Sequence, residues 1–495
     1  MAAPGSDTRT LRVALAAVSC GLAVLPFLAV RFPPITDLPQ QTAQIRLFLD
    51  AWRNPDSLYQ IQWFTPYTLS YAVLGAAWAL GGPQNAGRVA MCILVLAWTL
   101  AAHGLAARRG RPPEAAVVAS LLAFNHIVYW GFYSFAVGWP VFVLWIVVTT
   151  ETAREPLGVG ESGLLLAAGA LLYVSHALWF VAGVGWLLVH DAMLGVPRPL
   201  TAQRLASLVP VGVAAVLWYP HLAASGFVSP TMWTTTPTGR VSFSWLVDAD
   251  FGGVRGATEY VVAAVLVGWG LAGLLPRRRF IGPSTDAVLL LAAAMFLVGA
   301  LLLPDLHMNT IQFAQRWVPG AGVLLVLAAP MAQLEPRLRR GVALGLAAFL
   351  SLSTTLAWRR FEHTEMTGFA TALAALPRAP RVIGLDYVQE SRFVQGRPFM
   401  QDFAYAQVLK GGRLNMSFAG FAPSLVVFKE GKPMPWTPSL EWAPERLRPA
   451  DFQYFDFALI NGDEATHAHF ATLSEIEPVT HDGRWRLYRV KEPKP

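Results

Sequence analysis

The sequence predicts an α-helical polytopic membrane protein, with about twelve or thirteen transmembrane helices and a small C-terminal α/β soluble domain. Three observations carry that prediction. The 495 residues are 54% hydrophobic and only 14% charged, with a mean hydropathy of +0.43, whereas a soluble chain carries roughly a quarter charged residues. Apolar runs long enough to cross a bilayer recur from Leu11 to about Trp358. After that point the chain is charged, of mixed periodicity and without a spanning run. Residues 1–358 are therefore assigned to the membrane domain and 359–495 to one small soluble domain.

Taken in order, the predicted spans are 11–30, 66–82, 87–106, 115–131, 134–150, 162–175, 177–195, 205–224, 257–275, 285–303, 316–334 and 341–358. The first has Arg9 and Arg12 before it and no small-residue cleavage site, so it reads as a retained span. Basic clusters at span ends set the orientation. Arg277-Arg278-Arg279 and the run 337–340 read as cytoplasmic, which places loops 31–65, 225–256 and 304–315 and the C-terminal domain outside. Twelve crossings would return the tail to the side of the amino terminus, so one segment must be split, re-entrant or wrongly counted. The segments 66–82, 115–131 and the pair around His176 fit the pattern least well.

The net charge of +7 comes from short clusters at span ends, which argues against nucleic acid as a partner. Cys20 and Cys92 both fall within predicted spans, so neither a disulfide framework nor a thiolate metal site is expected. No Walker loop, Gly-x-Gly-x-x-Gly, His-Glu-x-x-His or Gly-x-Ser-x-Gly occurs, against a nucleotide-driven pump or a serine hydrolase. In the tail, segments 381–386, 457–461 and 485–490 read as strands, with helices over 403–409 and 466–473.

The first outer loop holds the leading catalytic candidate. In Phe32-Pro-Pro-Ile-Thr-Asp-Leu-Pro-Gln-Gln41, Asp37 follows the first span by a few residues, and Pro33, Pro34 and Pro39 stiffen its mount. An acid there can deprotonate a hydroxyl at the membrane surface. It can equally be the N-cap of the helix that follows. That helix, over 40–52, carries Ile45, Leu47, Phe48, Leu49 and Trp52 and is expected to lie along the interface, with Gln40 at its start among the substrate-binding candidates.

Other residues, at the outer face or, for His176, deeper in the membrane, could contact a substrate. His126, Tyr129 and Trp130 lie in a polar and aromatic turn, where they either meet a sugar phosphate or anchor the bilayer surface. His176, in Tyr-Val-Ser-His-Ala, is either a site histidine or a packing residue between helices. Arg316 opens a span after an outer loop bearing Asp305 and His307. A guanidinium on that face runs against the positive-inside bias and suits phosphate oxygens. Arg240 makes a lesser version of the same case. No cofactor is called for by any motif. Asp248-Ala-Asp250 has a spacing that can hold a divalent cation, although such pairs recur by chance.

This layout resembles the GT-C class of integral membrane glycosyltransferases. The resemblance rests on Thr36-Asp37-Leu38-Pro39 with its following helix, the aromatic turn over 126–133, Ser175-His176, and Arg316-Trp317-Val318-Pro319, and in architecture it covers the whole chain. It implies transfer of a sugar from a polyprenyl-phosphate-linked donor to a glycan, lipid or protein acceptor at the outer face of a bacterial inner membrane. Asp37 would then be the general base or acceptor-orienting acid and Arg316 a donor-phosphate contact. The first loop lacks the paired acids of metal-dependent members, since Asp37 stands alone and Asp50 lies well along the helix. Two alternatives stand beside it: a transporter or flippase of a lipid-linked or amphipathic solute, and a non-catalytic membrane assembly protein.

Overall fold

The computed structural model describes residues 6–153, 156–224, 230–274, 285–429 and 434–491; the cluster Arg277-Arg278-Arg279 lies outside them. The chain divides into two compact units. One gathers 1–26, 92–128 and 134–355, the other 27–91, 129–133 and 356–495. The first loop, 31–65, thus belongs with the C-terminal segment, far away in sequence.

Among the described residues six helices are long and apolar enough to cross a membrane: Thr8–Ala29, Thr68–Arg108, Tyr133–Glu151, Ala177–Leu194, Arg198–Leu222 and Pro336–Glu365. Val159–Ser175, Thr258–Leu274 and Ala287–Leu302 are shorter apolar helices. Four of the expected spans take another form. Segments 66–82 and 87–106 form the single element Thr68–Arg108, kinked at Gly82 (φ 64°) with Pro83 next. Unkinked, its 41 residues would reach roughly 60 Å, about twice the hydrocarbon thickness. Arg88 Nη1 donates to the carbonyl of Val30 at 2.9 Å, which puts the kink level with the end of the first helix. The residues after the kink suffice for one crossing. Segment 115–131 is broken into the helix Pro113–Ser120, a 3-10 turn Leu121–Ala123 and the short helix His126–Trp130. Segment 316–334 holds an α-helix only over Val318–Ala328.

The first unit is packed around indoles. Trp139, Trp145, Trp179 and Trp186 are fully buried, and buried indole N–H groups usually find an acceptor, although among the described residues Trp139 Nε1 has none. Trp98 Nε1 donates to Ala136 O at 2.8 Å, Trp145 Nε1 to Gly183 O at 2.8 Å and Trp179 Nε1 to Phe135 O at 2.7 Å. Gly138 leaves room for Trp179, whose ring would lie 1.9 Å from a Cβ there.

In the second unit, the three strands expected from the sequence appear at their expected bounds, Arg381–Asp386, Phe457–Asn461 and Trp485–Val490. Arg381–Asp386 sits between Arg413–Leu414 and Phe457–Asn461, parallel to both. Trp485–Val490 pairs antiparallel with Phe457–Asn461 and with Ile476–Pro478. The helices Tyr405–Lys410 and Glu464–Ala471 fall near the predicted positions.

The first-loop helix, Leu38–Arg53, is not laid on a bilayer surface along its length. Residues from Leu38 to Ile45, with Leu47 and Ala51, are buried within the unit. Leu47 and Ala51 pack with Tyr59, Ala419 and Val426, and the loop strand Tyr59–Ile61 pairs antiparallel with Val426–Phe428. An amphipathic face specifies that something apolar covers it, but not what. Past this buried face, exposed Trp52 and Trp63 meet edge to face at 5.6 Å.

Candidate functional site

Asp37 is held through its backbone. Its amide donates to Trp130 O at 3.0 Å, and the amide of Thr36 donates to Tyr129 O at 3.1 Å. Gly131 completes this contact at φ 75°, where a Cβ would fall 2.8 Å from the Asp37 nitrogen. Thr36 Oγ1 adds a bond to Arg397 O at 3.2 Å. Asp37 occupies the N-cap position of Leu38–Arg53, yet its side chain accepts no bond from the helix's own amides. An acid at that position ordinarily caps N2 or N3. The half-buried carboxylate is therefore fixed in place without being used as the cap.

The aromatic turn serves as the mount. The Trp130 ring stacks on Phe132 at 5.9 Å, and Tyr129 meets Trp358 edge to face at 6.0 Å, while their carbonyls hold the Asp37 strap. Gln40 is fully buried. Its Nε2 donates to Gln401 Oε1 at 2.9 Å and to Met416 O at 3.1 Å, and its Oε1 accepts from the Phe418 amide. The expectation that Gln40 contacts substrate is corrected: its amide is spent on seating the helix against the C-terminal segment.

In the other unit Arg316, His126 and His176 form a group. Arg316 is buried and grips Ile311 O with Nε at 3.1 Å and Nη2 at 3.0 Å, and its guanidinium lies 5.7 Å from the Phe135 ring centre. His176 meets the same ring edge to face at 5.5 Å. The charge of Arg316 acts on both His126 and His176. His176 is extended (φ −172°) between the helices Val159–Ser175 and Ala177–Leu194, and its Nδ1 accepts from the Leu178 amide at 3.2 Å. It therefore caps the second helix. His126 is buried, with Nδ1 against Ala249 O and Nε2 lacking a hydrogen-bond partner.

The remaining candidates separate. Arg240 is wholly buried and binds the last carbonyls of the helix Ala287–Leu302 and beyond, Ala300 O at 3.0 Å and Leu303 O at 2.6 Å, while Asp305 lies 2.9 Å away. It is corrected from a substrate contact to the cap of that helix terminus. His307 stands on the small hairpin Leu306–His307/Thr310–Ile311, with Nδ1 2.9 Å from Thr231 Oγ1. Asp248 and Asp250 share the short helix Phe243–Asp250. Two positions apart on a helix lie roughly 200° around its axis, so Asp248 is exposed while the Asp250 Oδ1 is buried without a partner. As a pair they do not fit one cation. Burial pushes the Asp250 carboxyl up to about 8. Among the described residues no group of three or more metal-ligating side chains forms.

Sequence reasoning quoted Thr36 and the turn over 126–133 but gave Thr36, Gly131 and Phe135 no role of their own. The only local signal was a glycine set between aromatics in Trp130-Gly-Phe132.

No known family model matches the sequence, and no curated protein does either. Solved structures do. The crystal structure of ArnT from Cupriavidus metallidurans in the apo state aligns over 97% of both chains at 12% identity, with a TM-score of 0.54. That of the same protein bound to undecaprenyl phosphate aligns over 98% of both, at 13% identity and a TM-score of 0.51. The chain therefore has an ArnT-like fold over nearly its whole length.

Proposed function

We propose that this protein is a glycosyltransferase that moves a sugar from a polyprenyl-phosphate-linked donor to an acceptor at the outer face of a bacterial inner membrane. The observation that carries the reading is Asp37: an acid locked by its backbone at a helix start whose carboxylate is not used to cap that helix. The ArnT-like fold supports the same reaction class, and the undecaprenyl phosphate held by one of those ArnT structures supports the donor class.

In the proposed reaction Asp37 takes the proton of the acceptor hydroxyl as its oxygen attacks the anomeric carbon. The bond from that carbon to the phosphate oxygen breaks with inversion, and polyprenyl phosphate leaves. Arg316 balances charge on the departing phosphate, with His176 and His126 beside it. Each of Tyr129, Trp130 and Gln40 acts through position only.

The test uses the full chain reconstituted with a panel of polyprenyl-phosphate sugars and envelope extracts as acceptors. Asp37→Asn keeps the shape and removes the base, and transfer is expected to fall by about a hundredfold or more. Unchanged transfer at normal expression sinks the assignment and returns weight to a transporter.

A further inference from the structure

The second unit holds a cavity of about 720 Å³ that the proposed reaction does not use. Arg31, Arg46, Arg53, Arg378 and Lys410 line it. They come from four places in the sequence: the residue after the first span, the first-loop helix, the stretch after the helix Phe369–Ala375, and the end of Tyr405–Lys410. Arg46, Leu49 and Arg53, at i, i+3 and i+7, share one face of Leu38–Arg53.

Some of this charge has a local explanation. Arg46 Nε pairs with Asp50 at 2.9 Å, and Lys410 Nζ donates to Ala374 O at 3.3 Å. The Glu362 carboxylate accepts from the Arg31 and Phe32 amides. Even so, five cations face two carboxylates, and among the described residues Arg53 and Arg378 make no ion pair. Gathering like charges in one concavity raises the local potential and costs compactness unless an anion joins them. Guanidinium forks match phosphate oxygens in pairs. The volume suits a head group, and Trp78 and Leu49 give the cavity an apolar wall.

We propose that this cavity binds a phosphate- or pyrophosphate-bearing head group at a site separate from Asp37. Arg46 and Arg53 lie nine and sixteen residues beyond Asp37 on the same helix, roughly 13 and 24 Å along its axis. The site stands whether or not Asp37 is a catalytic base.

The same phosphate chemistry has two sources, a lipid head group or a free phosphate, and the experiment separates them. The full chain is titrated with inorganic pyrophosphate in detergent. In parallel, phosphatidic acid retained from phosphatidylcholine nanodiscs is counted by native mass spectrometry. Each is repeated with Arg53→Gln/Arg378→Gln and with the charge-matched control Arg359→Gln/Arg360→Gln; all four arginines are exposed. The expected result is at least a tenfold loss of binding in the first variant and less than twofold in the control. Loss confined to phosphatidic acid identifies a lipid ligand, and loss confined to pyrophosphate a soluble one. Absence of binding by the unaltered protein, or an equal loss in both variants, overturns the proposal.

Discussion

Gly131 lies directly beneath Asp37. The Asp37 amide bonds to Trp130 O at 3.0 Å, and a Cβ on Gly131 would stand 2.8 Å from that same nitrogen. The two residues are far apart in the sequence, and their backbones meet because position 131 has no side chain and takes φ 75°. The turn thus holds the backbone of the acid.

Gly131→Ala should therefore displace the Asp37 strap. The strained φ alone costs about 1–2 kcal/mol, and the close contact adds to it. The expected outcome is a transfer rate lowered further than the fall in thermal stability explains, measured on the same preparation. An alanine variant with wild-type rate and stability would show that the contact does not hold the acid.

Arg316 spends two donors on one carbonyl and faces Phe135. Lysine keeps the charge but not the fork, and methionine keeps neither. If Arg316 balances the donor phosphate, Arg316→Lys should raise KM for the donor with a smaller change in kcat, and Arg316→Met should raise KM further and lower kcat. A methionine variant with unaltered kinetics removes Arg316 from the site.

Asp191 and Arg204 form a buried ion pair in the first unit, joined by Thr201 Oγ1 at 2.9 Å. Removing one partner strands a charge in the interior, so Arg204→Met alone should cost about 3–5 kcal/mol in reversible unfolding. Adding Asp191→Leu should recover part of that loss. A double variant less stable than the single one would refute the pairing as the reason.

Asp402, fully buried in the C-terminal segment beside Asp386, has its carboxyl held well above the usual carboxylate range by burial first and by that neighbour second. The native state keeps this proton at pH values where the unfolded chain has lost it. Stability therefore falls as pH rises from the unfolded value through the folded one. Asp402→Asn should raise the unfolding temperature of the full chain at about pH 8, and the gain should shrink to nothing near about pH 3. A gain independent of pH would assign the effect to packing.

Much of this was written in the sequence. Hydropathy located the helices, alternating apolar runs gave the strands at 381–386, 457–461 and 485–490, and the prolines around Asp37 marked a rigid acid after the first span. These signals are local, because helix and strand periodicities are set by residues a few positions apart. Partners were not legible. The amphipathic helix read as interfacial is buried against 419 and 426. Gln40 and Arg240, polar and well placed by sequence, are consumed by bonds to residues 361 and 60 positions away. The segment 66–82 has the composition of a span, and the bond from Arg88 to Val30 ties its kink to the end of the first helix. The sequence by itself determined a polytopic helical chain with a lone acid at a fixed point. Tertiary structure alone decided what holds that acid, which polar residues are spent on structure and where the cations gather, because those depend on contacts between segments that no local pattern records.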